Sequence, residues 1–197
     1  HMSAIQSASG QLAKLIDDIL DIAAIDAGQL ELELGDVRLD EMAEEACNLL
    51  ASRAEHESIR LNLAFAEEGA AIRADSNRIK QVLYNLITNA MDHVDAGGEV
   101  EIGARIEGND ACLWVNDDGR GIAPERQAKI FERFESGEGG GAGLGLALVN
   151  DIVRLHGGWV ELESEPGKGT TVMCHLPTTA SGDHSAPELE LKGSRGA

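Results

Sequence analysis

The apolar residues of the first 28 positions repeat with the period of a helix seam, and no other feature constrains the fold as strongly. Spacings of three and four residues alternate, as in a coiled coil or a helical bundle, through Ile5, Ala8, Leu12, Leu15, Ile19 and Ile22. Ile16, Leu20 and Ile25 widen this stripe, and a lone helix could not bury it. We therefore predict a helix over residues 5–27, stopped at Gly28, that packs on another helix or on a second copy. The alternative is an amphipathic helix folded against its own domain.

After Gly28 the periodicity changes and then alternates between that of strands and that of helices. Leucines and glutamates alternate over residues 30–34, which predicts a strand. Further strands are predicted over 59–65, 70–74, 99–106, 111–116, 159–164 and 170–176, and helices over 39–57 (with Asp40 as a possible cap), 76–94, 124–134 and 144–156. This order predicts an α+β sandwich, a mixed sheet with helices on one face, preceded by one long helix.

Composition and charge exclude several functional classes. The chain has 35 acidic and 16 basic residues, for a formal net charge of −19, which argues against nucleic acid or an anionic membrane as a partner and, taken alone, against any polyanionic ligand. Three cysteines far apart predict a reduced, cytosolic protein with packed thiols. No apolar run reaches the roughly 20 residues of a membrane helix. The start His1-Met2 resembles a cloning remnant, so we expect a fragment of a longer protein.

The first polar cluster follows an apolar strand and contains Asp117, Gly119 and Gly121. Two glycines spaced by one residue let the backbone approach a flat or phosphorylated ligand closely. An ionised aspartate at a strand end can accept a hydrogen bond from an exocyclic amine such as that of adenine. The alternative is an ordinary tight turn, since Asp and Gly are common turn residues.

The second cluster is a glycine-dense segment over residues 137–145 that leads into a helix. Glycines before a helix allow backbone N–H groups to surround phosphate oxygens, and the helix N-terminus adds partial positive charge. The segment fits neither a Walker A motif, because no Lys-Ser or Lys-Thr follows, nor a Rossmann fingerprint, because no βαβ unit surrounds it. A flexible linker is the alternative.

The third cluster is a pair of amides, Asn85 and Asn89, one turn apart on a predicted helix and therefore on one face. Amides among apolar residues are costly unless they are paired. Their carbonyl oxygens suit a hard cation such as Mg²⁺. Internal hydrogen bonds are the alternative.

Taken in order, these clusters resemble the ATP-binding domain of sensor histidine kinases, a Bergerat-type α/β sandwich of the gyrase, Hsp90, histidine kinase and MutL superfamily. The resemblance covers roughly residues 30–177 and rests on five motifs in the family's order: Asn85-x-x-x-Asn89-Ala90, Asp117-x-Gly119-x-Gly121, Ile130-Phe131-Glu132-Arg133-Phe134, Gly141-x-Gly143-Leu144-Gly145-Leu146 and Gly169-Thr170-Thr171. It implies a protein histidine kinase that uses ATP and Mg²⁺.

The resemblance assigns roles by position. Asp117 would take the adenine amine, Gly119 and Gly121 would shape that wall, and Thr171 would support the pocket. The catalytic pair would be Asn85 and Asn89, with Asn89 on Mg²⁺ and Asn85 assisting at the phosphates. The phosphates would be received by Gly141, Gly143, Leu144 and Gly145. Hydrolytic relatives carry a glutamate where this chain has Asn85, and an amide cannot act as a general base, which favours phosphoryl transfer over attack by water.

Residues 3–28 resemble the second helix of the family's dimerisation and phosphotransfer domain, and the first helix, which carries the phosphorylated histidine, is not in this chain. We therefore expect three parts: this helix, an ATP-binding domain over 29–177 and a disordered tail over 178–197. The resemblance implies a homodimer formed through the helical bundle and a response regulator or other signalling protein as partner. It also implies a cytoplasmic module whose parent protein can be anchored at the inner membrane.

The chain departs from the family at positions that are often cationic. Asp92 stands where many members have Lys or Arg three residues after the Mg²⁺-binding asparagine, and Ser136 stands where an arginine is common. The segment between Phe134 and Gly141 contains two glutamates and no cation, which weakens contact with a triphosphate; Arg120 and Arg133 could partly compensate. The alternative function is therefore a divergent, degenerate kinase module that binds ATP weakly and acts mainly through protein interactions.

Overall fold

The computed structural model describes residues 2–65, 71–134 and 143–179. Along the chain its elements are α1 (Met2–Asp26), β1 (Leu34–Arg38), α2 (Leu39–Glu57), β2 (Arg60–Phe65), β3 (Ala71–Asp75), α3 (Ser76–Met91), β4 (Glu99–Glu107), β5 (Asp110–Asp117), α4 (Pro124–Gln127), α5 (Gly145–Leu155), β6 (Trp159–Glu165) and β7 (Gly169–Pro177). Among these elements, no helix is both long and apolar enough to cross a membrane.

The main sheet has five strands in the order β2-β4-β5-β7-β6. The β2–β4 pair is parallel and the other three pairs are antiparallel, whereas β1 and β3 form a separate antiparallel pair. The helices α2, α3 and α5 pack on one face of this sheet. The predicted α+β sandwich with a mixed sheet and a leading helix is confirmed.

The core lies between the helices and the inner face of the sheet, because alternate strand residues point to that face. Its largest fully buried side chains come from both layers and include Ile79, Leu83, Leu86 and Ile87 of α3, Ile102 of β4, Leu113 of β5 and Ile152 of α5. Asp75 begins α3 by accepting hydrogen bonds from the backbone N–H groups of Asn77 and Arg78, which is the usual role of an acidic N-cap. The placement of α3 matters for function because it carries both candidate asparagines.

The apolar stripe of α1 is divided between two environments. Ile22 belongs to the core, and Leu15 and Ile25 pack against it, so the interpretation as a helix folded on its own domain is confirmed for this side. The opposite side stays exposed, with exposed fractions of 49–61% at Leu12, Ile16, Ile19 and Leu20. The width of the stripe therefore reflects two packing surfaces on one helix.

Several predicted boundaries are wrong. The alternating segment 30–34 is not a strand: β1 begins at Leu34, because its antiparallel partner β3 pairs only with residues 34–38. Helix α4 stops at Gln127 instead of continuing to residue 134. Asp40 does not cap α2; it lies in the first turn and pairs with Arg38, the N-cap residue.

The tail predicted from residue 178 lies almost entirely outside the described residues. Thr178 itself is held, because its backbone N–H donates to the carbonyl of Asn109. Gly28, the predicted stop of the first helix, has φ 63°, the left-handed conformation typical of a glycine that follows a helix.

The turn between β6 and β7 supplies a test of the fold. Gly169 has φ 102°, and a Cβ there would overlap the backbone carbonyl of Asp117, whereas Gly167 has φ 78° and open space around it. We expect Gly169→Ala to lower the free energy of unfolding by about 3 kcal/mol or more, since strain and overlap add. The matched control Gly167→Ala should cost only about 1 kcal/mol. Urea unfolding of both variants measures the difference, and equal costs would contradict the close approach of the two strands.

Candidate functional site

Asp117 is the last residue of β5 and is buried on the inner face, with 6% of its surface exposed. Its Oδ1 accepts a 2.9 Å hydrogen bond from the backbone N–H of Gly119. Burial raises the pKa of this carboxyl to about 6, and hydrogen bonds from the backbone N–H groups of Gly119 and Thr170 oppose part of that rise. A buried carboxylate whose pKa is shifted toward neutrality is a common mark of a functional site.

The turn after Asp117 needs its glycines. A Cβ at Gly119 would overlap the carbonyl oxygen of His93, and one at Gly121, where φ is 67°, would overlap that of Glu165. The wall beside Asp117 is therefore bare backbone at these two positions, because neighbouring backbone segments leave no room for a side chain. The Arg120 N–H also donates to the His93 carbonyl at 3.3 Å, which joins this turn to the segment after α3.

The structure corrects the position of the supporting threonine. Thr171 pairs with Asn116 in the β5–β7 register, and its hydroxyl donates to the Asn116 side chain at 2.7 Å. Since neighbouring strand residues face opposite sides, Thr171 lies on the face away from Asp117. Thr170 lies opposite Asp117 and shares its face. The threonine beside the predicted pocket is thus Thr170, which the sequence analysis passed over.

Asn85 and Asn89 both lie on α3, as predicted. Asn85 is buried, with 3% exposed, and its Nδ2 is 3.5 Å from the carbonyl oxygen of Gly145 in the first turn of α5. Leu144, the N-cap residue of α5, is also buried. The structure therefore brings the first asparagine together with the N-terminus of α5, and Asn89 follows one helical turn later, half-buried.

The glycine-rich segment is described only in part. Gly143 adopts φ 68° and its carbonyl accepts a hydrogen bond from the N–H of Phe134. Gly141 lies outside the described residues, as do the acidic residues predicted to weaken phosphate contact. Large apolar side chains are usually buried, yet the two phenylalanines of the third motif differ: Phe131 is 7% exposed and Phe134 is 70% exposed.

Lys14 is a site residue that the sequence analysis missed. Its Nζ donates to Asn85 Oδ1 at 2.8 Å and to Asp18 Oδ2 at 2.9 Å, and Asp18 is buried. A signal was present in the sequence, because Lys14 is the single basic residue of α1, beside the seam and among several aspartates. An open groove between α1 and the pair α2–α3 reaches this contact, with Lys80 and Tyr84 among its lining residues.

The arginines expected to compensate for missing cations are engaged with protein groups. Arg133 bonds both carboxylate oxygens of Asp26 at 2.5 and 2.7 Å, and reaches Asp151 at 3.1 Å. Arg120 Nη2 lies 2.9 Å from Nδ1 of His93. Burial and the nearby Arg120 charge lower the pKa of His93, so this ring is neutral near pH 7 and its Nδ1 can accept the bond.

Asp92 is one of the departures from the family, the other named position, Ser136, lying outside the described residues, and its carboxylate is paired. Its Oδ1 lies 2.6 Å from Nη2 of Arg53, near the end of α2. The guanidinium of Arg53 thus lies beside position 92, where many relatives carry a lysine or arginine.

The match to known proteins agrees with this geometry. A family model described as histidine kinase-, DNA gyrase B- and HSP90-like ATPase matches residues 74–180, more than half of the chain. The chain belongs to this family. The matched segment contains all five motifs named above.

Similar proteins are named as sensor proteins or histidine kinases. The sensor protein DivL of Caulobacter vibrioides is 43% identical over 189 residues, 96% of this chain and 25% of DivL. The circadian input-output histidine kinase CikA of Synechococcus elongatus is 35% identical over 185 residues, 90% of this chain and 24% of CikA. The chain thus spans about a quarter of the length of these relatives.

Solved structures show the same fold. Full-length ShkA in complex with AMPPNP superposes with a TM-score of 0.80 at 32% identity, over 89% of this chain and 37% of ShkA. The histidine kinase ThkA in complex with the response regulator TrrA gives a TM-score of 0.73 at 26% identity, over 90% of this chain and 51% of ThkA.

The raised pKa of Asp117 predicts how stability depends on pH. Between about pH 4 and pH 6 the folded carboxyl keeps a proton that the unfolded chain has lost, so the free energy of unfolding falls as pH rises through this window. We expect a fall of about 2–3 kcal/mol relative to Asp117→Asn, which cannot ionise. Urea unfolding of both proteins across this range measures it. A constant difference between them would show that the carboxyl titrates normally.

Proposed function

We propose that this chain is the catalytic ATP-binding module of a sensor histidine kinase, and that it transfers the γ-phosphoryl group of Mg-ATP to a histidine on a helix outside this chain. In the whole protein the phosphoryl group would pass on to a response regulator. The observation that carries the proposal is the buried Asp117 beside a bare glycine wall, on the helix-covered face of the sheet. A carboxylate there has no charged partner in the described contacts and suits a neutral amine donor such as that of adenine.

The residues present fit a nucleotide. The Asp117 carboxylate uses Oδ1 for the Gly119 N–H and retains acceptor capacity for an exocyclic amine. The glycine wall allows a flat ring to approach the backbone, and Thr170 lies beside the carboxylate on the same face. Recognition would thus depend on one charged acceptor and backbone surfaces, which is how a chain of net charge −19 can hold a polyanion in one place.

The phosphate end would lie where α3 meets the N-terminus of α5. Backbone N–H groups of the first turn of α5 and the helix dipole favour negative charge there, Asn89 offers an amide oxygen to Mg²⁺, and Asn85 would assist at the phosphates. The bound metal would neutralise the charge that develops on the phosphates. Because Asn85 cannot take a proton from water, the proposal favours transfer to a histidine nitrogen, with ADP as the leaving group.

The Lys14 contact adds a condition to this proposal. While Lys14 donates to Asn85 Oδ1, its ammonium charge opposes a metal ion at the same oxygen. Nucleotide binding and the observed position of α1 therefore compete for one atom.

A second candidate, a degenerate module with weak ATP binding that acts through protein interactions, is favoured by the arginine pairings. Arg133 is bound to Asp26 and Asp151, so it meets phosphate only after leaving these carboxylates. Both residues of the Arg133–Asp26 pair are partly exposed, and such pairs are weak. The two candidates therefore differ in the affinity of the site and not in its location.

Binding of AMPPNP with Mg²⁺ tests the proposal. We expect Asn89→Ala to weaken this binding by at least about tenfold, because it removes a metal ligand, with a smaller effect when Mg²⁺ is omitted. The control is Asn77→Ala, since Asn77 is an exposed asparagine in the first turn of the same helix. Titration calorimetry gives both affinities.

Two results would contradict it. Absence of binding at millimolar AMPPNP would overturn the proposed kinase and favour the degenerate module. Equal losses in the two asparagine variants would remove Asn89 from the site.

We also infer that the module works in the cytoplasm as part of a homodimer, with the exposed side of α1 facing a bundle formed with a second copy. Leu12, Ile16, Ile19 and Leu20 are on this side, and the spacing is that of a helical seam. The ThkA–TrrA complex supports a response regulator as the partner that receives the phosphoryl group.

Light scattering at high protein concentration tests the dimer. We expect the unmodified chain to self-associate and Ile16→Ser with Leu20→Ser to shift it toward monomer, because apolar contact area is lost. Leu63→Ser is the control, since Leu63 is an exposed leucine of β2 and not part of α1. A strict monomer for the unmodified chain would contradict the inference.

A further inference from the structure

The face of the sheet opposite the helices carries a cluster with no part in the proposed nucleotide site. In the strand register, Arg105 of β4 pairs with Cys112 of β5, Cys112 with His175 of β7, and His175 with Trp159 of β6. Directly paired residues of antiparallel strands share a face, so these four side chains form one row across the sheet. Glu107, two residues after Arg105, belongs to the same face.

Three side chains in this region have the chemistry of metal ligands. One ligand atom each from Glu107, Cys112 and His175 can be chosen so that all lie within 4.8 Å of one another. Zinc–sulfur and zinc–nitrogen bonds are about 2.3 Å and 2.0 Å, so side-chain rotations that move the ligand atoms by roughly 1 Å would bring all three within bonding distance of one ion. Cys112 is fully buried and Glu107 is exposed, which leaves the cluster open toward solvent on one side.

The imidazole ring of His175 is held in a fixed place within this cluster. It is 8% exposed, and its buried Nε2 has no hydrogen-bond partner among the described residues. Its ring is stacked on Trp159, with centroids 4.6 Å apart and planes 7° apart. Glu161 Oε2 lies 3.3 Å from Nε2, in the place of the carboxylate that commonly orients a metal-binding imidazole through its second ring nitrogen, so Nδ1 would be the nitrogen that binds the metal.

We propose that Glu107, Cys112 and His175 form a zinc site on this face, with water in the fourth position and Glu161 orienting the imidazole. On binding, the Cys112 thiol would lose its proton to solvent and form the sulfur–zinc bond. The ion would link β4, β5 and β7 on the face away from Asp117. The site is separate from the proposed nucleotide pocket and does not depend on it.

Arg105 is the group that opposes a cation here. It pairs with Glu107 and lies over the Trp114 ring, 5.0 Å from the centroid. Zinc must therefore displace Arg105 from Glu107, and this is feasible because the Arg105 side chain is 44% exposed. Burial raises the pKa of the Cys112 thiol to about 11, so without a metal ion Cys112 stays protonated and packs as an apolar residue.

Titration of the full chain with Co²⁺, a spectroscopic substitute for Zn²⁺, tests the site. We expect one equivalent to bind with a thiolate-to-cobalt charge-transfer band, and Zn²⁺ to displace it. Cys112→Ser should abolish the band, whereas Cys174→Ser should retain it because Cys174 is on the opposite face, paired with Leu113. Calorimetric titration with Zn²⁺ gives the affinities directly.

Two exposed variants keep the test valid if a buried substitution unfolds the protein. Glu107→Gln should weaken Zn²⁺ binding by at least about tenfold through loss of a ligand, and Arg105→Gln should strengthen it because a competing cation is removed. No charge-transfer band at excess Co²⁺, a band that survives in Cys112→Ser, or equal Zn²⁺ affinity in the unmodified chain and Glu107→Gln would each overturn the proposal.

Discussion

The close approach of β5 and β7 at Asp117 is the constraint on which the rest of the site depends. Gly169 lies so near the Asp117 carbonyl that no side chain fits between them. This contact fixes the register that places Thr170 opposite Asp117, and the same turn brings the Glu165 carbonyl against Gly121. The acidic group, its hydrogen-bond donors and the bare wall are therefore products of one strand pairing.

A second constraint is the charge balance of α1. Its aspartates hold cations of the following domain: Asp26 holds Arg133, and Asp21 pairs with Arg78 at 2.9 Å. Lys14 in turn occupies the amide oxygen of Asn85. The Arg133–Asp26 pair is partly exposed, and exposed pairs contribute little to stability, so its exchange for phosphate contacts costs little. The acidity of the chain thus determines which cations remain available to bind phosphate, and it affects the chemistry of the proposed nucleotide pocket less.

Much of the fold could be predicted from the sequence because periodicity is local. The bounds of α2 and of β4 to β7 were predicted within a residue or two, and Gly28 was correctly identified as a helix stop. The order of the five motifs along the chain identified the family. Errors arose where contacts with distant residues decide the conformation or the burial of a residue. The alternating segment 30–34 has the pattern of a strand, but it has no partner strand before Leu34. Phe134 is apolar and yet exposed.

The sequence by itself determined which elements form and which residue types could carry chemistry, because helix and strand periods, glycine conformations and amide spacing are properties of short segments. Only the tertiary structure decided which side chains meet. Thr170 rather than Thr171 faces Asp117 because a one-residue change of register moves a side chain to the other face of a sheet. Lys14 contacts Asn85, which is 71 residues away in the sequence, and Cys112 is the direct partner of His175 on the neighbouring strand. Both contacts form because burying the apolar faces of distant segments brings their polar residues together.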